Sequence, residues 1–315
     1  MKNKIAVVFP GQGSQAVGMG KDLYDNFDTA KKVFNNIDQI LGKKLSKICF
    51  EGPLDELTKT QNTQPALMAV SMALIEVLQQ DFGKNFADIC GLTAGHSLGE
   101  YSALCASKAL SLEDTAKLLE IRGLSMAECG EKTAGAMCAI LGVEVDIAQQ
   151  IVLEASQGEI CQIANDNSVG QIVLSGSKTA IERAIEIAKT KGAKRAIILP
   201  VSGAFHSNLM LEAQQKMAIA LEKISINKPV VPLIANVSAS IVENHQDIKN
   251  LLIQQITGSV RWRETMLCFE KNGIEEVVEF GSGKVLAGLV SRTTPAIKSS
   301  SVQNTEDLKN FLAKF

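Results

Sequence analysis

Apolar residues fall in short blocks along the first part of the chain. Ile5–Phe9 is a continuous apolar run ended by Pro10, the pattern of a strand buried on both faces. Gly11-Gln12-Gly13-Ser14-Gln15 then reads as a loop. From about 21 to 41 charged and apolar positions alternate at helical spacing. A second helix is predicted over 65–80, with polar Thr60-Gln61-Asn62-Thr63-Gln64 as the loop before it. Ile89-Cys90-Gly91-Leu92-Thr93-Ala94 is strand-like and runs straight into Gly95-His96-Ser97-Leu98-Gly99, after which 100–110 reads as helix. Ser111-Leu112-Glu113-Asp114 has the form of a capping box and should open a helix to about Cys129, before Gly130.

The middle of the chain changes rhythm. Strand patterns at 136–141, 159–164, 171–175 and 195–200 alternate with helical ones at 145–156 and 178–191. The order βαββαβ is that of a ferredoxin-like unit, which predicts a small inserted domain over 131–199 and a large domain made of 1–130 and 200–315. A helix near 208–224 and strands at 230–236 and 275–280 return the chain to the large domain. Alternating strands and helices imply an α/β fold with a mostly parallel sheet covered by helices.

Composition narrows the function. The chain is 46% hydrophobic but only 4% aromatic, so its core is aliphatic and it lacks the Tyr and Trp expected of carbohydrate platforms or base-stacking surfaces. Lys and Arg are scattered and the net charge is −2, which excludes a nucleic-acid footprint. Seven widely spaced cysteines in mostly apolar surroundings read as reduced packing residues. The start, Met1-Lys2-Asn3-Lys4, leads into an apolar run too short for a signal peptide, and no run approaches the roughly 20 residues of a membrane helix. A cytoplasmic protein with no membrane partner is expected.

The Gly-x-Ser-x-Gly at 95–99 carries the strongest chemical signal. Between a strand and a helix it has the context of a nucleophile elbow, in which glycines permit a sharp turn and a helix start offers N–H groups to an anion. The bland alternative is a tight turn with a serine N-cap. A serine hydroxyl needs a base, and the chain has three histidines. His96 neighbours Ser97, and adjacent side chains on an elbow point apart. His245 lies in the polar run Glu243-Asn244-His245-Gln246-Asp247, read as a surface loop. His206 follows a strand, at the kind of junction where α/β folds gather chemistry; elimination makes it the candidate base, against the plain reading of a lone polar surface histidine. No acid stands out between Ser97 and His206; Asp166 is a candidate, but in the inserted domain.

Arg122 shares a helical face with Leu118, Leu119 and Met126, so its guanidinium projects toward an apolar side and needs a partner. Taken alone, that fits an internal ion pair or a snorkelling side chain better than a fork for a substrate carboxylate. Gly11-x-Gly13-x-x-Ala16 is a weak dinucleotide fingerprint with no helix plainly opening in it. Gly281-Ser282-Gly283-Lys284 lacks the other residues of a P-loop.

Together Phe9-Pro10-Gly11-Gln12-Gly13-Ser14-Gln15, Thr63-Gln64-Pro65-Ala66, Gly95-His96-Ser97-Leu98-Gly99-Glu100-Tyr101, Arg122, Gly203-Ala204-Phe205-His206-Ser207 and Gly281-Ser282-Gly283-Lys284-Val285-Leu286 run nearly end to end. In this set the chain resembles the malonyl-CoA:acyl-carrier-protein transacylases of bacterial type II fatty acid synthesis. The resemblance implies a hydrolase-like core with the ferredoxin-like insert. It makes Ser97 the nucleophile and His206 the base, with the backbone N–H groups of Gln12 and Leu98 as oxyanion hole. Arg122 would hold the malonyl carboxylate, Gln64 would line the acyl pocket, and Phe205 would crowd a 2-methyl substituent. The main-chain carbonyl of Gln255 would orient the histidine, with Asn165 falling near by position. The partners implied are malonyl-CoA and acyl carrier protein, for a monomer using no cofactor and no metal. A serine thioesterase, an acyltransferase serving polyketide synthesis and a non-catalytic carrier-protein docking module are the alternatives.

Overall fold

The computed structural model describes residues 3–315, so Met1 and Lys2 of the polar start lie outside the described residues. The chain opens with β1 (Ile5–Phe9), then α1 (Lys21–Asn26), α2 (Asp28–Leu41), α3 (Leu45–Glu51), α4 (Leu54–Thr58), the long α5 (Thr60–Gln80) and α6 (Phe86–Ile89). Strand β2 (Leu92–Gly95), α7 (Gly99–Ala106) and α8 (Leu112–Lys132) follow. Next come β3 (Gly135–Leu141), α9 (Val145–Ser156), β4 (Cys161–Ser168), β5 (Gln171–Ser177), α10 (Lys178–Thr190) and β6 (Arg195–Ile198). After a 3-10 turn at Asn208–Met210 the chain forms α11 (Leu211–Glu222), β7 (Leu233–Ile234), β8 (Ile241–Val242), α12 (His245–Gln255) and α13 (Trp262–Lys271). It ends with β9 (Glu276–Phe280), α14 (Val285–Thr293), β10 (Lys298–Val302) and α15 (Thr305–Leu312).

The main sheet has the order β10-β9-β1-β2-β7-β8, and only the β7–β8 pair is antiparallel. β1 and β2 are central, so alternate residues bury into opposite faces. Val7 and Phe9 join the core built on α2, α5 and α8, while Ala6 and Val8 pack with Trp262, Met266 and Leu289. That double burial is why β1 reads as an unbroken apolar run. The second sheet, β4-β5-β3-β6, is antiparallel throughout and has a separate core against α9 and α10. Its order is that of the ferredoxin-like βαββαβ unit.

Several elements depart from the pattern read in the sequence. The helix expected over 21–41 breaks at Phe27, which is extended (φ −133°, ψ 123°) and packs its ring on Phe82. The supposed loop at 60–64 is the buried opening of α5, with Pro65 inside the helix. The proline leaves the Gln61 carbonyl without its helical donor, and Lys43 Nζ reaches that oxygen at 3.4 Å. Gly130 does not stop α8, which continues to Lys132; a Cβ there would lie 2.1 Å from the Ser202 carbonyl oxygen, so glycine serves close packing. Ser111 does cap α8, accepting the Asp114 N–H at 3.0 Å. His245 is not in a loop but begins α12, whose N-cap Asn244 accepts the Gln246 and Asp247 N–H groups.

Candidate active site

The carboxyl ends of β1 and β2 lie side by side, Phe9 opposite Gly95. The chain leaves β2 through the elbow and enters α7. The sharp turn is taken by Ser97 itself, at φ 52°, not by the flanking glycines. Those are required for approach: a Cβ on Gly95 would sit 1.9 Å from the Gly99 carbonyl, and one on Gly99 would sit 2.2 Å from the Phe9 oxygen. Strand and helix are therefore packed closer than any side chain allows. Asn236 stabilises the turn, its Oδ1 accepting the Ser97 N–H at 2.8 Å and its Nδ2 donating to the Gly95 carbonyl at 2.7 Å.

His206 also sits in the left-handed region, at φ 57°. Its Nε2 is 2.8 Å from Ser97 Oγ. Its Nδ1 faces two carbonyl oxygens, Gln255 at 2.8 Å and Gly258 at 3.1 Å. Carbonyls only accept, so Nδ1 carries the hydrogen and Nε2 presents its lone pair to the serine. Burial pushes the ring down to about 3, and the charge of Arg122 adds to that shift against the two carbonyls. A base is lost when it takes up a proton at low pH; here that point lies far below the ordinary histidine value. Labelling of Ser97 by a neutral fluorophosphonate is accordingly expected to keep its rate from pH 8 down to about 5. An acid limb centred near the ordinary histidine pKa would refute a buried neutral base.

Arg122 is 1% exposed and stacks beneath the same serine. Gly123 brings α8 onto the first turn of α5, where a Cβ would lie 2.6 Å from Gln61 Cα. Arg122 Nη1 then donates to Gln64 Oε1 at 2.7 Å, and Nη2 donates to Gln255 Oε1 at 2.9 Å and to Ser97 Oγ at 3.0 Å. Its carbon Cζ lies 5.7 Å from the Tyr101 ring centre. All its hydrogen bonds among the described residues go to uncharged acceptors, so neither an internal ion pair nor a snorkelling side chain describes it. It is a buried cation held beside the Ser97 hydroxyl.

A half-open pocket of about 120 Å³ lies over Ser97, lined by Gln12, Arg122, Asn165, Phe205 and His206 among others. The Gly11–Gln12 turn rests on the elbow; a Cβ on Gly11 would meet the His96 carbonyl oxygen at 2.8 Å. Gln12 and Leu98 both line the pocket, and their N–H groups have no backbone acceptor among the described residues. Phe205 adds an apolar wall with Met126 and Met137. Asn165 lines the pocket from β4, but its side chain makes no hydrogen bond to the His206 ring among the described residues, where the carbonyls of Gln255 and Gly258 occupy Nδ1.

None of the remaining candidates hydrogen-bonds the side chain of Ser97 or His206 among the described residues. Asp166 is not brought to His206; it pairs with Arg263, Nη2 to Oδ2 at 2.8 Å. His96 Nε2 is bound to Asn167 Oδ1 at 2.9 Å, and its ring packs on Trp262. His245 is exposed. Helix α1 begins only at Lys21, so the Gly11–Ala16 segment opens no helix for a dinucleotide. Ser282 Oγ donates to the Ser14 carbonyl at 2.7 Å, making the Gly-Ser-Gly-Lys turn a clamp on that loop. Among the described residues no cluster of three or more His, Cys, Asp or Glu could hold a metal ion, and no helix is long and apolar enough to cross a membrane. Sequence reading missed Asn236 and Glu100, buried polar residues behind the elbow. Glu100 carried a visible signal, an acid in an otherwise apolar helical stretch; Asn236 carried none.

Known proteins resemble this chain over nearly its whole length. Residues 6–305 match the acyl transferase domain family. The malonyl CoA-acyl carrier protein transacylase of Bacillus subtilis (strain 168) is 43% identical over 308 residues, covering 98% of this chain and 96% of the relative. The crystal structure of an acyl-carrier-protein-S-malonyltransferase from Bartonella henselae superposes with a TM-score of 0.95 at 49% identity, covering 98% of each chain. A malonyl-transacylase solved in complex with a type II PKS acyl-carrier protein superposes at 0.95 with 38% identity, covering 99% of this chain and 100% of that one.

Proposed function

The chain belongs to the malonyl-CoA:acyl-carrier-protein transacylases of the acyl transferase family, and from that premise we propose that Ser97 carries malonyl from malonyl-CoA to acyl carrier protein in fatty acid synthesis. One observation carries the reading: Ser97 Oγ lies 2.8 Å from the base His206 and 3.0 Å from the buried cation Arg122. A serine hydrolase needs the first contact. The second suits an acyl group with a free carboxylate.

The steps follow from the geometry. His206 Nε2 takes the Ser97 hydroxyl proton as Oγ attacks the malonyl thioester carbonyl. The oxyanion is held by the N–H groups of Gln12 and Leu98, donors already in place before charge develops. The carbon–sulfur bond breaks, His206 returns its proton to the CoA sulfur, and malonyl remains as an ester of Ser97. The carboxylate replaces Ser97 Oγ as the acceptor of Arg122, whose guanidinium stays anchored by Gln64 and Gln255. The pantetheine thiol of the carrier protein then gives its proton to His206 and attacks the ester. The carbon–oxygen bond breaks and Ser97 recovers its hydrogen. No step needs a cofactor or a metal.

In this reading residues 131–199 fold as the small domain on residues 1–130 and 200–315, contributing Met137, Asn165 and Leu199 to the pocket wall. The protein acts in the cytoplasm as a monomer; its seven free cysteines support a reducing compartment. Phe205 selects against substituents on the malonyl C2.

Intact-mass measurement after brief incubation with malonyl-CoA tests the proposal. The expected product is one malonyl adduct, discharged on adding carrier protein. Methylmalonyl-CoA should label about five- to 150-fold more slowly, since overfilling a packed pocket costs about 1–3 kcal/mol. No adduct with malonyl-CoA would refute the reading.

A further inference from the structure

Glu100 lies on α7 directly behind the elbow, 1% exposed, and takes no part in the steps above. Its Oε2 accepts two hydrogen bonds, from Gln255 Nε2 at 2.7 Å and from the Asn236 N–H at 3.1 Å. Both partners there are N–H donors, so this oxygen is an acceptor whether or not the carboxyl is protonated. That matters because burial raises Glu100 to about 7: a proton, when present, belongs on Oε1.

The two contacts tie Glu100 to the working groups. Gln255 Nε2 has two hydrogens. Glu100 takes one at the shortest distance, and the Ser97 carbonyl at 3.0 Å and Asn236 Oδ1 at 3.3 Å share the other. With Nε2 so committed, Gln255 Oε1 points the opposite way and accepts Arg122 Nη2 at 2.9 Å. Were the amide turned over, an NH2 would face the guanidinium, donor against donor. Asn236, the other partner, holds the Ser97 N–H through its Oδ1. The Gln255 main-chain carbonyl that holds His206 is a separate group and does not depend on the amide.

We propose that Glu100 is a positioning residue: by fixing the Gln255 side-chain amide, Oε1 toward Arg122, it aims the guanidinium at the carboxylate of the acyl group. The inference rests on the malonyl-transfer reading. It requires an acceptor at Glu100 Oε2 and not a charge, since a buried donor left without its acceptor drives the amide to reorient.

Glu100→Met removes the acceptor at similar volume, while Glu100→Gln keeps a carbonyl oxygen for the same two donors. Two rates are compared in each: malonyl transfer from malonyl-CoA to carrier protein, and labelling of Ser97 by a neutral fluorophosphonate. Glu100→Met should lower malonyl kcat/KM by roughly ten- to a hundredfold and leave labelling within about threefold. Glu100→Gln should keep malonyl transfer within about fivefold of wild type. Gln255→Met should lower malonyl transfer at least as far as Glu100→Met does, and the double variant should be no worse than Gln255→Met alone. If Glu100→Met does not fold, Gln255→Met and Glu100→Gln decide the question by themselves. The proposal is overturned if malonyl transfer and labelling fall together, if Gln255→Met keeps malonyl transfer, or if Glu100→Gln loses as much as the methionine variant. Failure of the wild type to form a malonyl adduct overturns the functional reading instead, and is seen before any variant is compared.

Discussion

Replacing Ser97 by alanine is expected to lower malonyl transfer by at least about ten-thousandfold and to abolish the malonyl adduct. The size follows from the role. Without Oγ there is no covalent carrier, and the oxyanion donors and the cation can only orient a thioester for direct attack by the second thiol. The fold should survive, because the elbow is held through the Ser97 main chain. Its N–H goes to Asn236 and its carbonyl accepts from Gln255, and alanine keeps both. Circular dichroism and thermal unfolding should match wild type while intact mass shows no acylation. His206→Ala should fall nearly as far, and the double variant should add little, since the two groups act as one unit. A malonyl adduct persisting in Ser97→Ala would place the acyl group elsewhere and overturn the mechanism.

The second large effect concerns charge. Arg122→Met keeps apolar volume but removes the cation that the malonyl carboxylate would meet in the pocket. Leaving a buried charge without its partner costs about 3–5 kcal/mol, roughly a hundred- to several-thousandfold in kcat/KM. Acetyl transfer has no carboxylate to lose and should change by less than about tenfold. The variant would thus reverse the preference between malonyl and acetyl thioesters, measured as the ratio of the two kcat/KM values. Unchanged malonyl kinetics would remove the clamp and return Arg122 to a packing role. Equal losses on both substrates would mean that the guanidinium chiefly supports Ser97 Oγ.

The groups proposed to react were more legible in the sequence than their supports. Ser97 announces itself because an elbow needs glycine on both sides, and the close approaches at Gly95 and Gly99 give that requirement its steric cause. His206 could be found by elimination among three histidines. Arg122 could be placed on an apolar face, but periodicity cannot tell which residues close around a guanidinium from another helix. Its true neighbours, Gln64 and Gln255, are separated from it by 58 and 133 positions. Gln64 was further disguised because Pro65 made its helical turn look like loop. The central strands, buried on both faces, were read closely, whereas two-residue β7 and β8 are too short to hold a pattern.

The anchors of the histidine carry a consequence for genetics. Where a serine enzyme recruits an acidic side chain, a single codon change can delete that partner. Here the partners are the peptide oxygens of positions 255 and 258, which every amino acid possesses. Alanine at 255 would leave the imidazole tethered and would register only what the side-chain amide does, whereas a Cβ at 258 would lie 2.8 Å from the Gln254 carbonyl oxygen and displace the second anchor. The third member of the proposed catalytic set is encoded in the route of the chain at the end of α12 and just beyond it, so insertions and deletions there, more than loss of any one side chain, are the lesions that would untie it.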